Sequence, residues 1–382
     1  MSFASSDSRT AAPANRANYS HTIWLTHALR GRVYLAAKLD IFPQKTIKKL
    51  KIYVYFQEKH YFCKVYIAIC VDKMSKRYRE YGSWLLSKIG MKTQKISINA
   101  GFTCPNRDGS VGVGGCTYCN NQTFNPSYCE TTKSITLQLV EGKAFFARKY
   151  PTMKYLAYFQ AYTNTYALLD DLKRKYEEAL SVEDVVGLVI GTRPDCMPEP
   201  LLDYLANLNH QCFLTVEYGI ESTNDIILQH INRGHDFACT QQAVKATHER
   251  GILTGGHIIL GLPLTHTIPN YLQQEAENIS KLPLDTLKIH QLQLIKGTKM
   301  AEEYANHPEY FHLYQSFEYI DEVIDFLELI RPELIVERFV SQSPSSLLAI
   351  PGWGLKNYEF VEKVNKRLEE QDTYQGRLYH IT

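Results

Sequence analysis

From Lys95 onward the apolar positions keep a regular rhythm. The stretch "KISINA" alternates Ile96, Ile98 and Ala100, which predicts a half-buried strand. Five further short apolar runs predict strands at Lys154–Gln160, Val185–Gly191, Cys212–Ile220, Gly255–Pro263 and Asp285–Ile295. Longer amphipathic stretches between and after them predict helices at Ser134–Tyr150, Leu168–Leu180, Pro198–Asn209, Asp236–Gly251, Pro269–Leu282 and Ser316–Ile330. Ser134 and Asp236 stand where N-caps belong, and Gly251 where a helix stops. Six strand-then-helix units in succession imply an α/β protein with a parallel sheet covered by helices. A barrel-like sheet and an open doubly wound sheet both satisfy the pattern, and both place their chemistry at the carboxyl ends of the strands.

Residues 1–73 lack this rhythm. They carry twelve Lys/Arg against four acids (Asp7, Asp40, Glu58, Asp72), a formal +8, while the remaining 309 residues carry 30 basic against 36 acidic, a formal −6. The opening is rich in Ser, Ala and Asn, and Met74 begins "MSKRYREYGSWLLSKIG", which has the form of a natural start. A small basic domain, a targeting peptide and a loosely structured leader compete here, and the leader is the reading adopted. The expected organisation is therefore a basic, poorly structured leader over 1–73, a core domain over 74–342 and a C-terminal loop and helix over 343–382. The acid surplus of the core makes counterion release a weak driving force, so charge does not indicate nucleic-acid binding. No apolar run approaches the ~18 residues of a membrane span. Nine cysteines, odd in number and irregularly spaced, fit a reducing, cytoplasmic setting better than a disulfide framework.

Candidate chemistry collects after the expected strands. The first is followed by Cys104-x11-Cys116-x2-Cys119, the second by "QAYTNTY" (Gln160–Tyr166) and the third by "GTRPD" (Gly191–Asp195). The fourth ends in "VEYGIES" with Glu217 and Glu221, the fifth carries His257 and ends at Gly261–Pro263, and the sixth carries His290, Gln291 and Gln293. Each strand end thus brings polar groups to one rim, which a purely structural sheet does not need.

The three cysteines admit several chemistries. A zinc knuckle would recruit Cys129 as fourth ligand, but spacings of x11, x2 and x9 are not the two close pairs of a zinc ribbon. A redox couple of Cys116 and Cys119 leaves Cys104 unexplained. An iron–sulfur cubane usually takes four thiolates, and three would leave one iron open to a small chelating ligand.

The run "NAGFTCPNRDGSVGVGGCTYC", with "YFQAYTNTY", "GTRPD", "VEYGIES" and "INRGHD", resembles the radical S-adenosylmethionine (SAM) enzymes. Within them it is similar to a stand-alone subfamily near the branch of the elongator catalytic subunit. The similarity spans roughly Ser75 to Trp353. The commonest family spacing is x3 then x2, and here x11 replaces x3. The resemblance implies a partial (β/α)6 TIM-type barrel of parallel strands with helices outside. It also implies a [4Fe–4S] cluster on Cys104, Cys116 and Cys119, with SAM on the open iron. Tyr118 would lie against the adenine, and Ile259 and Gly261 would back it. Gln160, Thr163 and Asn164 stand where the family usually has Gly-Gly-Glu, and would accept from the methionine ammonium. Thr192 and Arg193 end the third strand, where Arg193 could pair with a carboxylate. Glu217 and Glu221 are candidates for the ribose hydroxyls or the amine. Gly109, Gly112, Gly114 and Gly115 would let the long loop fold back.

The activity so implied is reductive cleavage of SAM, followed by hydrogen abstraction from an unidentified substrate, a small molecule or an RNA base. The partners implied are an electron donor such as flavodoxin or ferredoxin and that substrate, with no membrane. The contrasting reading is a zinc-stabilised barrel that binds a ligand without redox chemistry. His257 and His290, as strand residues, are read as core positions, and Cys129, Cys196, Cys212 and Cys239 as structural thiols.

Overall fold

The computed structural model describes residues 77–120, 126–147 and 152–380 with their side chains, and the backbone of four strands within 21–69. The chain divides into two compact units, 1–76 and 77–382. In the first, β1 (His21–Leu29), β2 (Val33–Ile41), β3 (Leu50–Glu58) and β4 (Tyr61–Ile69) form an antiparallel sheet in chain order. Strands thus stand where the sequence suggested a loose leader. Lys51, Tyr53, Tyr55 and Gln57 do alternate with Ile52, Val54 and Phe56, but the two tyrosines in the first set hide the period. Residues 1–20 lie outside the described residues.

The second unit is built on seven parallel strands. They are β5 (Thr93–Ile98), β6 (Lys154–Phe159), β7 (Val185–Thr192), β8 (Phe213–Glu221), β9 (Leu253–Leu260), β10 (Thr286–Gln291) and β11 (Ile335–Arg338). Their order in the sheet is their order in the chain, each paired in parallel with the next. The sheet curls into a partial barrel with helices around it, as the βα rhythm and the resemblance lead one to expect. A seventh strand joins the six expected. It is four residues long, too short to show a period in "ELIVERF". Ahead of the barrel, α1 (Tyr81–Ile89) meets β11 through a bridge between Glu80 and Val336.

The helices follow the strands as expected: α2 (Ile135–Ala147), α3 (Leu169–Leu180), α4 (Glu199–Asn209), α6 (Phe237–Glu249), α7 (Tyr271–Lys281) and α9 (Ser316–Leu329). The expected end of the first of these, at residues 148–150, lies outside the described residues. The Ser134 hydroxyl accepts from Leu137 N at 3.1 Å, and Asp236 caps α6 by accepting from Cys239 N at 2.8 Å. Short α5 (Asp225–His230) and α8 (Lys299–Asn306) are additions, and α10 (Asn357–Glu370) closes the chain by burying Phe360, Val364 and Leu368. Among the described residues no helix is long and apolar enough to cross a membrane.

One buried acid ties the turn after β8 to the outer layer. Both Glu275 oxygens, on α7, accept from Thr223 N at 3.0 Å, and Oε2 accepts from the Thr223 hydroxyl at 2.9 Å. Burial nonetheless raises this carboxyl to about 7. The folded protein therefore holds the Glu275 proton more firmly than the unfolded chain, and that contribution is complete below pH 4.5 and lost as pH rises through about 7. Relative to Glu275→Gln, which cannot ionise, the wild type should lose about 3 kcal/mol between those limits. Urea unfolding of both proteins at pH 5 and pH 8 measures this, and a pH-independent difference contradicts it.

We propose that residues 1–73 are separable from the barrel. All seven strands of its sheet come from residues 93–338. The N-terminal tie of the second unit begins at Arg77, whose guanidinium reaches Asp372 at 2.8 Å and whose carbonyl accepts from Gln375 N. A protein starting at Met74 should keep the far-UV spectrum and thermal midpoint of the second unit; misfolding of the shortened chain places the boundary elsewhere.

Candidate active site

The three cysteines lie on the segment between β5 and α2, of which residues 99–120 and 126–134 are described. Its wide spacing is taken up by a compact turn. The Cys104 carbonyl accepts from Arg107 N and Asp108 N, that of Pro105 from Val111 N and Gly112 N, and that of Asn106 from Gly115 N at 2.7 Å. Asn106 is fully buried at the hub, its amide donating to the carbonyls of Asn232 (2.6 Å) and Arg233 (3.4 Å). A Cβ on Gly112 would come within 2.2 Å of Asn106 Oδ1, so glycine is required there for the turn to close. From the other side, Asn232 Nδ2 donates to Gly115 O at 2.8 Å, and Thr117 N donates to Ile231 O. The "INRG" segment (Ile231–Gly234) is therefore the clamp that holds the cysteine loop.

The clamp brings Cys104, Cys116 and Cys119 to the wall of one cavity of about 200 Å³ at the carboxyl end of the strands. All three are free thiols. Cys116 Sγ accepts from Arg233 Nη1 at 3.4 Å and lies 3.7 Å from Asn106 Nδ2. Arg107 donates to the Cys119 carbonyl at 2.8 Å, and its side chain also bonds the Cys119 thiol. Burial, with Cys116 beside it, pushes the Cys119 thiol up against the pull of Arg107. Cys129 is elsewhere: it is buried in the apolar core, donates its thiol proton to Ser97 O at 2.8 Å, and is raised to about 12 by burial.

Of the other residues singled out from the sequence, Tyr118, Gln160, Thr163, Thr192, Arg193, Glu217, Glu221 and Ile259 line the same cavity. Asn164 and Gly261 do not. Asn164 is fully buried and gives its amide to Gly191 O at 2.8 Å. Gly261 turns away at φ +82°, where a Cβ would meet the Tyr314 ring at 3.0 Å. Gln160 Oε1 accepts from the Ser97 hydroxyl. The carboxylate Arg193 finds is internal: two bonds of 2.8 and 2.7 Å run to Asp195, leaving its Nη1 buried without a partner.

Glu217 is also committed internally. It is 1 % exposed, with Oε1 2.8 Å from Lys95 Nζ and Oε2 2.5 Å from Lys288 Nζ and 3.1 Å from His257 Nε2. Glu337 on β11 completes the set, 2.7 Å from Lys95 and 3.4 Å from Lys288. Burial pushes the Glu217 carboxyl up, but Lys288 and Lys95 outweigh it and hold the group well below the usual range. Burial brings the Lys288 ammonium down to about 8.

Several wall residues escaped the sequence reading. His257 and His290 are read there as core positions, yet both line the cavity with rings stacked 5.6 Å apart. Burial and the nearby cations hold both imidazoles below their usual value, and His290 Nε2 is buried without a partner. Tyr158 joins the wall, its hydroxyl 3.1 Å from Lys288 Nζ. Neighbouring histidines on β9 and β10 facing the same side as Glu217 were the available signal.

The sequence profile of the radical SAM superfamily matches residues 101–268, and that of the radical SAM C-terminal domain matches 284–370. The Bacillus subtilis protein YtqA is 38% identical over 304 residues, covering 80% of this chain and 93% of its own. Escherichia coli YhcC is 34% identical over 302 residues, covering 78% and 94%. A tRNA uridine(34) acetyltransferase of Methanocaldococcus infernus is 26% identical over 206 residues, 52% of this chain and 37% of the relative. Among solved structures, M. infernus Elp3 matches with a TM-score of 0.57 at 17% identity, over 74% of this chain and 64% of that one.

Proposed function

The chain belongs to the radical SAM superfamily and is a radical SAM enzyme, and from that premise we propose that it cleaves SAM at the cavity ringed by its three loop cysteines and abstracts hydrogen from a substrate held there. The observation that carries the reading is the meeting of Cys104, Cys116 and Cys119 with a polar rim from β6 to β10 around one cavity. The donor set fits the implied cofactor: three free thiols border the cavity, while the fourth nearby cysteine, Cys129, is spent on a backbone carbonyl in the core. When bound, a [4Fe–4S] cluster on those thiols and SAM would together supply an electron, the break of the sulfonium bond and a carbon radical for the abstraction.

The chain's own residues bind and exclude. Tyr118 and Ile259 offer apolar surface for the adenine, and Gln160 and Thr163 offer oxygens to an ammonium. Arg193 Nη1, buried and unpartnered, is the donor available to a carboxylate. Glu221 is the acid at the rim left for a hydroxyl or amine, since both Glu217 oxygens are taken by lysines. His257 and His290 present neutral imidazoles opposite, suited to a polar uncharged part of the substrate.

The electron donor is a flavodoxin or ferredoxin, and the cluster suits a reducing cytoplasm. An RNA base as substrate is favoured by the partial similarity to the tRNA uridine(34) acetyltransferase, a small molecule by the formal −6 of residues 74–382. Anaerobically purified protein should be brown, with iron and sulfide at about four each per chain, and should form 5′-deoxyadenosine from SAM under reduction. Colourless protein holding stoichiometric zinc sinks the proposal. Stimulation of that product by tRNA, lost steeply with added salt, selects the RNA reading.

A further inference from the structure

The "INRG" clamp does more than close the cysteine loop: it seats a buried guanidinium against one of the three sulfurs. We infer that Arg233 is a positioning residue that donates a hydrogen bond to the Cys116 ligand sulfur and so raises the reduction potential of the cluster. The inference rests on the cluster proposed above.

The seat of Arg233 is built from three directions. Its Nη1 stands 3.4 Å from Cys116 Sγ, and its Nη2 donates to Gly219 O at 2.5 Å. Glu221 Oε1 lies 3.8 Å from the same Nη2. The Arg233 carbonyl receives the Asn106 amide, so the backbone carrying the guanidinium and the loop carrying the sulfur are tied by one buried side chain. Residue 219 has to be glycine for this, because a Cβ there would lie 2.7 Å from Arg233 Nη2 and 2.6 Å from Glu221 Oε1. Arg233 as a residue is 6% exposed, and its Nε has no partner. Such a buried, braced cation cannot swing away from the sulfur.

The direction of the effect follows from charge. Reduction adds one negative charge to the cluster, and a hydrogen bond or a cation at a ligand sulfur stabilises the more negative state. Water is largely excluded here, so the interaction is little screened. Glu221 opposes it by partly neutralising the guanidinium. The two side chains therefore act on the potential with opposite signs.

The test is a dye-mediated redox titration of the holoenzyme without SAM, followed by the electron paramagnetic resonance of the reduced cluster. In Arg233→Gln the reduced-to-oxidised ratio at a fixed potential should fall about tenfold, which is a midpoint about 59 mV more negative for a one-electron couple. In Glu221→Gln, which keeps Arg233 and removes its counter-charge, the ratio should rise several-fold. An unchanged midpoint in Arg233→Gln with its cluster retained overturns the inference, and weakened SAM binding in that protein would assign Arg233 to the SAM carboxylate instead. Should Arg233→Gln fail to assemble, Glu221→Gln decides alone: a midpoint that stays or drops overturns the inference. A wild-type protein with no reducible cluster defeats the proposed function itself, which separates the two failures.

Discussion

Alanine at Cys104, Cys116 or Cys119 is expected to abolish cluster assembly and, with it, formation of 5′-deoxyadenosine, whereas Cys129→Ala keeps both. On the proposed assignment three thiolates would hold three irons and leave the fourth open, so each removal would leave two ligands, too few to retain a cubane. The loop offers no substitute within its clamp: Cys129 is in the core with its thiol on Ser97 O, and Cys196 is buried beside Asp195 at 3.7 Å. Loss of the Cys129 sulfur should cost only packing and one weak hydrogen bond, on the order of 1–2 kcal/mol. Iron and sulfide analysis, with the brown colour of the purified protein, checks each variant. A brown, active Cys116→Ala defeats the assignment of the ligands, and a colourless but folded Cys129→Ala revives a four-thiol site.

The parts of this site that were legible in the sequence share a physical reason. Parallel βα units send each strand's last residues to one end, so the polar groups after six apolar runs could be assigned to one rim without coordinates. Of the ten residues proposed for SAM, eight line the cavity, Tyr118 from the clamped cysteine loop and the others from the strands and the turns that follow them. Asn164 and Gly261 stand outside the cavity lining, each set by its own turn. Asn164 faces back to Gly191 O, and Gly261 takes a left-handed turn beside Tyr314. The role of "INRGHD" was hidden for another reason: its contacts with the cysteine loop join residues more than a hundred positions apart. No local period reports such a contact. The seventh strand was missed because four residues carry too little alternation, and the lysines inside the barrel because a buried charge has no signature apart from its partner on another strand.

That last group carries the second large effect. Glu217→Ala is expected to destabilise the barrel by about 3–5 kcal/mol, the usual cost of breaking a buried ion pair by removing one partner. Lys95, Lys288, Glu217 and Glu337 sum to zero charge, and the two lysines approach Glu217 at 2.8 and 2.5 Å while the rings of Tyr81 and Tyr158 lie 4.6 and 4.5 Å from the respective ammonium groups. Without Glu217 two ammonium groups share Glu337 alone, in a setting where Lys288 is 1% exposed and water cannot replace the lost carboxylate. Its ammonium, already brought down to about 8 by burial, should then release its proton near neutral pH. Truncating Lys288 together with Glu217 (Lys288→Met with Glu217→Ala) removes one charge of each sign, and the double variant should be less destabilised than the sum of the two single changes by more than 1 kcal/mol. Urea unfolding of the four proteins of this cycle measures the coupling. Additive losses would mean that the carboxylate and the ammonium act independently, and that the barrel floor beneath His257 is held by packing rather than by charge.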